Sequence, residues 1–100
     1  MRPRKAVTTF SKKMEKQLKK NDHKGGWDVM THEWLLNRAF DEWLELRDAI
    51  LSRDVKAIHE EAADLANFAM MISDNCLDAM PEVEDEKSSL RSRNKSRGTA

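Results

Sequence analysis

The sequence predicts an all-α protein: an antiparallel helical hairpin plus a short N-terminal helix, completed into a helical bundle by oligomerisation. Three observations carry that expectation. Apolar residues recur three and four positions apart in three separate segments, the spacing of a single helix face. The two longer segments are joined only by Ser52-Arg53-Asp54, a connection short enough to fold the second helix back along the first. Finally, 100 residues, 39% of them hydrophobic, cannot cover every apolar face of two long helices within one chain. A second copy is therefore expected.

Taken in order, residues 1–8 read as a mobile basic arm containing Pro3. Thr8 or Thr9 is a suitable cap for a helix over residues 9–20, with Phe10, Met14 and Leu18 as a narrow docking stripe and lysines covering the rest. Asn21, Asp22 and the Gly25-Gly26 pair stop it. Thr31 caps the next helix, which runs to about Leu51. Asp54 caps the third, which runs to about Ala79 before Pro81. The helical domain is thus placed at residues 9–80. Residues 81–100 are rich in Ser, Arg, Lys and acidic side chains, too polar to bury a core, and read as a disordered tail.

Composition excludes several classes. There is no run of about 18 apolar residues, so no membrane span is expected. The basic N-terminus lacks the apolar block of a secretory signal. Cys76 is the single cysteine, which precludes an internal disulfide and fits a reducing cytoplasm. The net charge of zero hides a segregation: residues 1–24 carry nine Lys/Arg and two Asp/Glu, residues 25–81 four and twelve, residues 82–100 five and four. A basic arm on an acidic body suits a phosphate-bearing ligand, a neighbouring subunit or nucleic acid. Nucleic acid is the weakest of these, though a nucleic-acid-associated helical protein stays open as an alternative.

Chemistry concentrates between Phe40 and Asp74. In the second helix one row reads Leu35, Ala39, Glu42, Leu46, Ala49, and an adjacent row Leu36, Phe40, Trp43, Arg47, Ile50. In the third, one row reads Ala57, Glu61, Asp64, Phe68, Met71. Glu42, Glu61 and Asp64 interrupt apolar rows, with Glu45 one turn along at the border. A carboxylate facing inward is costly unless paired or bound to a cation. Acid spacing alone is weak in this chain, since Asp41, Glu45 and Asp48 also lie three or four apart. Two such pairs on successive antiparallel helices are a sharper signal, and oxygen-only ligands with open positions suit magnesium, with manganese as a substitute. A di-iron bundle needs a Glu followed three residues later by His, and His23, His32 and His59 lack that relation. Nor are they spaced for zinc with Cys76. In the loop Lys24-Gly25-Gly26-Trp27, a cation and a flat ring flank a flexible turn and could hold a phosphate and a base. Asn67, one turn beyond Asp64, can orient that carboxylate or contact a ligand.

The pattern Glu42-Trp-Leu-Glu45, fifteen intervening residues, then Glu61-Ala-Ala-Asp64 resembles MazG-like proteins of the all-α nucleoside triphosphate pyrophosphohydrolase superfamily. Lys24-Gly-Gly-Trp27 before the first pair, and the text from Glu60 to Met71 around the second, strengthen the likeness, which covers roughly residues 10–75 and points to the short type common in bacteriophages and bacteria. The resemblance implies hydrolysis of a nucleoside triphosphate to monophosphate and pyrophosphate in nucleotide-pool control. It implies magnesium held by Glu42, Glu45, Glu61 and Asp64, with one of these or Glu60 orienting the attacking water. It also implies a ligand near Lys24, Trp27 and Asn67, and a homodimer or homotetramer whose helices line shared sites in the cytoplasm. Larger relatives carry phosphate-binding basic residues on a helix after the acidic pairs; here Lys24, the basic arm or tail residues such as Arg91 and Arg93 stand in their place. A nucleotide-binding regulatory protein without catalysis is the second expectation.

Overall fold

The computed structural model describes residues 2–76. Three helices follow in order: α1 Lys5–Lys20, α2 His32–Leu51 and α3 Val55–Asn75, with a single 3-10 turn at Asp22–Lys24 between α1 and α2. Among the described residues there is no strand, and no helix is long and apolar enough to cross a membrane.

The two caps read from the sequence of the hairpin form as expected. Thr31 accepts from the Trp34 N–H and Asp54 from the Ala57 N–H, each at 3.1 Å, satisfying donors that a helix start leaves free. The turn between α2 and α3 closes with Asp54 N–H bonded to Ala49 O and Arg53 N–H to Ile50 O. That double closure puts Arg53 at φ 57, the left-handed position that glycine usually takes after a helix.

Two boundaries differ from the expectation. The arm expected over residues 1–8 is shorter, because α1 begins at Lys5 with Arg4 as its extended N-cap. Thr8 lies inside the first turn, its N–H bonded to Arg4 O, rather than acting as the cap. Lys5 and Ala6 favour helix, and the modest cost of the β-branched Val7, Thr8 and Thr9 does not stop it. At the other end α3 closes at Asn75 with Cys76 as C-cap. The expected continuation to about Ala79, and the tail over residues 81–100, lie outside the described residues.

Helix α3 is the centre. It packs against α2 on one side and α1 on the other, while α1 and α2 do not pack together. Contacts of α1 with α3 run Met14 to Asn67, Gln17 to Asp64 and Lys20 to Glu60, so these two helices are antiparallel. Among the described residues the core is thin: Leu35 and Ala63 are fully buried, Ala39 and Ala49 nearly so. Small side chains at Ala39, Ala49 and Ala63 let the helices approach closely. The stripe of α1 at Phe10, Met14 and Leu18 is half-buried on α3, as its spacing predicts. The row of α2 through Leu35, Ala39, Glu42 and Ala49 is the buried one, while Leu36, Phe40, Trp43 and Ile50 are left exposed.

Candidate functional site

Glu42 lies on the buried row of α2 and is 7% exposed, facing the middle of α3. Glu45 follows one turn along at the solvent edge, and Glu61 meets both from α3. One carboxylate oxygen from each of Glu42, Glu45 and Glu61 lies within 4.8 Å of the others. Glu42 Oε2 and Glu61 Oε2 are buried without a hydrogen-bond partner. Burying a carboxylate oxygen unpaired costs several kcal/mol, on the order of what holds a small domain together. Such an arrangement persists only with compensation.

Protons supply part of it. Burial, and then hydrogen bonding against the Glu45 and Glu61 carboxyls, push the Glu42 carboxyl up to about 9. Burial also raises Glu61. Glu45, at the wet edge, moves the other way, lowered by its hydrogen bond with Glu42. At neutral pH the cation-free cluster therefore holds a proton on Glu42 beside an ionised Glu45. The donor set fits a hard divalent cation well: all oxygen, acidic, converging and short of partners, within reach of an ion whose oxygen ligands stand at about 2.1 Å. Bound there, a cation would neutralise charge and polarise phosphate oxygens or water.

Asp64 stands apart from the three glutamates. Gln17 of α1 donates to Asp64 Oδ1 at 3.1 Å, and Asp64 lies outside the 4.8 Å group while its charge still raises Glu42 and Glu61. Burial raises its carboxyl, against the lowering effect of the Gln17 bond. So three of the four expected carboxylates come together, and the fourth is held by a side chain that the sequence reading missed. A signal was available: Gln17 sits three residues after Met14 on the docking stripe, a polar interruption of an apolar row like Glu42 itself.

A cavity of about 420 Å³ opens where α1 and α2 fail to meet. Phe68 and Met71 of α3 floor it, Trp34, Leu35 and Arg38 of α2 form one wall, and the loop from Asn21 to Met30 closes it. Lys24 and Trp27 both line it. The loop is tied down: Trp27 Nε1 donates to Asp74 at 3.0 Å, and Asn75 donates to the Trp27 carbonyl at 3.1 Å. Gly25, at φ 92, takes a backbone conformation closed to most side chains and turns the chain back toward α2. Asn67 plays a different part. It is 3% exposed and donates to the Met14 carbonyl at 3.0 Å, fastening α1 to α3. Cys76 and His32 approach to 3.5 Å, a pairing invisible in their spacing, yet they join no cluster of three metal-binding side chains among the described residues.

Arg38 was also missed. Its guanidinium reaches Glu42 Oε1 at 3.4 Å and Asp41 at 3.2 Å, and lies 5.4 Å from the centre of the Phe68 ring. It belongs to both the acid cluster and the cavity wall. The sequence signal was its place four residues before Glu42, a helical ion-pair spacing.

No family model matches the chain, and no solved structure matches it. Among curated proteins it is similar to an uncharacterized protein of Archaeoglobus fulgidus, 39% identical over 46 residues. That match covers 46% of this chain and half the length of the relative.

Proposed function

We propose that the chain is a magnesium-dependent nucleoside triphosphate pyrophosphohydrolase of the MazG-like kind, acting in the cytoplasm as a homo-oligomer. The observation that carries the reading is the convergence of Glu42, Glu45 and Glu61, with two buried unpartnered oxygens, beside an aromatic cavity edged by Lys24 and Arg38. Acids and cavity divide the work. Glu42, Glu45 and Glu61 would hold the cation, with Asp64 joining by giving up its bond to Gln17. When bound, the cation supplies charge neutralisation at the phosphates and a lowered pKa for water. The rings of Trp27, Trp34 and Phe68 offer stacking surface to a base. Lys24 and Arg38 would face the ligand's negative charge from the loop and from α2. Glu45, ionised at the wet edge, is placed to hold and aim an attacking water by accepting its hydrogen bond.

The oligomer follows from α2. Leu36, Phe40, Trp43, Arg47 and Ile50 alternate steps of four and three, the spacing of a helix-pairing seam. The Phe40 and Trp43 rings stack at 6.2 Å and 5°, presenting a flat apolar plate to solvent. With so little buried among the described residues, a second copy on this seam would supply further core.

The test is direct. With magnesium and a panel of nucleoside triphosphates, the purified chain releases pyrophosphate, and Glu42→Gln abolishes it. A folded chain that turns over no nucleotide sinks the enzymatic reading. One observation favours a second reading, a nucleotide-binding regulator without hydrolysis: Asp64 is engaged by Gln17 outside the glutamate cluster. Calorimetry recording nucleotide binding without pyrophosphate release selects it.

A further inference from the structure

The acid cluster and the cavity are separate features joined at one side chain. Arg38 touches Glu42 Oε1 and Asp41 Oδ2 with different guanidinium nitrogens, and its carbon lies over the Phe68 ring that floors the cavity. Neither carboxylate receives a two-pronged bond, so much of the donor set of this guanidinium is unspent. The side chain is 41% exposed and already lines the cavity. The other nearby cations are placed differently. Lys20 is engaged with Glu60 at 3.3 Å on the α1 side, and Lys24 sits on the loop at the far wall.

A divalent cation on the glutamate cluster competes for the Glu42 oxygen that Arg38 now contacts. Two cations sharing one largely buried carboxylate repel strongly, because the surroundings screen them poorly. The cavity offers Arg38 an alternative, provided that its occupant carries negative charge near the cluster. We propose that Arg38 is an exchangeable counter-ion. It contacts Glu42 in the cation-free chain, and moves onto a phosphate of the cavity ligand when a divalent cation takes that carboxylate. The inference rests on the reading above of a cation and a phosphorylated ligand at this site. It adds the residue that couples them, and it makes the two binding events mutually supportive.

The test measures the two events separately in Arg38→Gln and Arg38→Lys. Mn2+ titrations without nucleotide, followed by electron paramagnetic resonance, are expected to show tighter binding in Arg38→Gln, about threefold or more, because a competing charge is gone. Calorimetry with a non-hydrolysable α,β-imido nucleoside triphosphate in saturating Mg2+ is expected to show about tenfold weaker binding in the same variant. A merely structural role moves both affinities downward, so the opposite signs are the signature. Arg38→Lys keeps the charge without the planar fork, and is expected to leave Mn2+ affinity within about twofold of wild type while still weakening the analogue. It also serves should Arg38→Gln fail to fold by circular dichroism. If the wild type binds both probes but Mn2+ affinity in Arg38→Gln is unchanged or weaker, or analogue affinity is unaltered in both variants, the exchange is overturned while the functional reading stands. A wild type that binds neither Mn2+ nor the analogue overturns the functional reading and this inference with it.

Discussion

The two rows of α2 are the instructive pair. The inward row carries Leu35, Ala39, Glu42 and Ala49, all buried; the outward row carries Leu36, Phe40, Trp43 and Ile50, all exposed. Phe40 is 60% exposed while Glu42, two residues on, is 7% exposed. A lone chain selected for stability alone would have this the other way round, since a buried aromatic contributes a few kcal/mol and a buried carboxylate costs as much. The inversion assigns the rows different work. On the proposed function, the inward row holds a site whose cost a proton or a cation would offset, and the outward row holds apolar surface that a second copy would cover.

The largest expected effect breaks the inward row. Glu42→Gln is expected to lower pyrophosphate release by at least about a hundredfold, because it removes a cation ligand. Next comes the outward row. Trp43→Arg is expected to weaken self-association about thirtyfold or more, the scale of a central aromatic hot spot, in sedimentation velocity. A wild-type chain that sediments as a monomer would undo that half of the comparison.

A third prediction uses pH. The folded chain keeps a proton on Glu42 that the unfolded chain sheds above its ordinary value of 4.5, so stability is full below that point and declines as pH rises through about 9. Glu61 and Asp64 are raised as well and act in the same direction, while the lowered Glu45 opposes them. The cation-free chain is therefore expected to melt several degrees lower near pH 9 than near pH 5, at about 4–8 °C per kcal/mol for a chain of this size. Glu42→Gln should flatten the slope. Magnesium at about 100 times its Kd should raise stability by about 2.7 kcal/mol. The smallest effect lies outside both rows. Arg53→Gly relieves the left-handed residue of the hairpin turn and is expected to stabilise by about 0.5–1 kcal/mol in denaturant melts.

Much of the hairpin was legible because its signals are local. Thr31 and Asp54 cap because their oxygens meet N–H groups three residues ahead, whatever surrounds them. The buried row of α2 was readable because burying one helix face imposes helical spacing on the sequence. The α1 boundary was misread because Thr8 and Thr9 are good caps in general, and nothing local forbids the helix from starting sooner at Lys5. The place of Asn67 one turn from Asp64 suggests a role in orienting that carboxylate or contacting a ligand. Its side chain instead points to Met14, since α1 packs on that flank of α3.

What the sequence by itself determined is the helices, their order, the antiparallel hairpin and the two rows in which acids interrupt apolar positions. These follow from hydrogen bonds and side-chain directions that repeat every turn. Only the tertiary structure decided which carboxylates meet. Glu42, Glu45 and Glu61 converge because α2 and α3 pack closely at small residues, whereas Asp64 is bonded by Gln17, 47 residues away in the chain. It also placed Arg38 between cluster and cavity, and opened that cavity where α1 and α2 fail to touch. Those outcomes depend on how helices pack across long sequence separations, which no local spacing encodes.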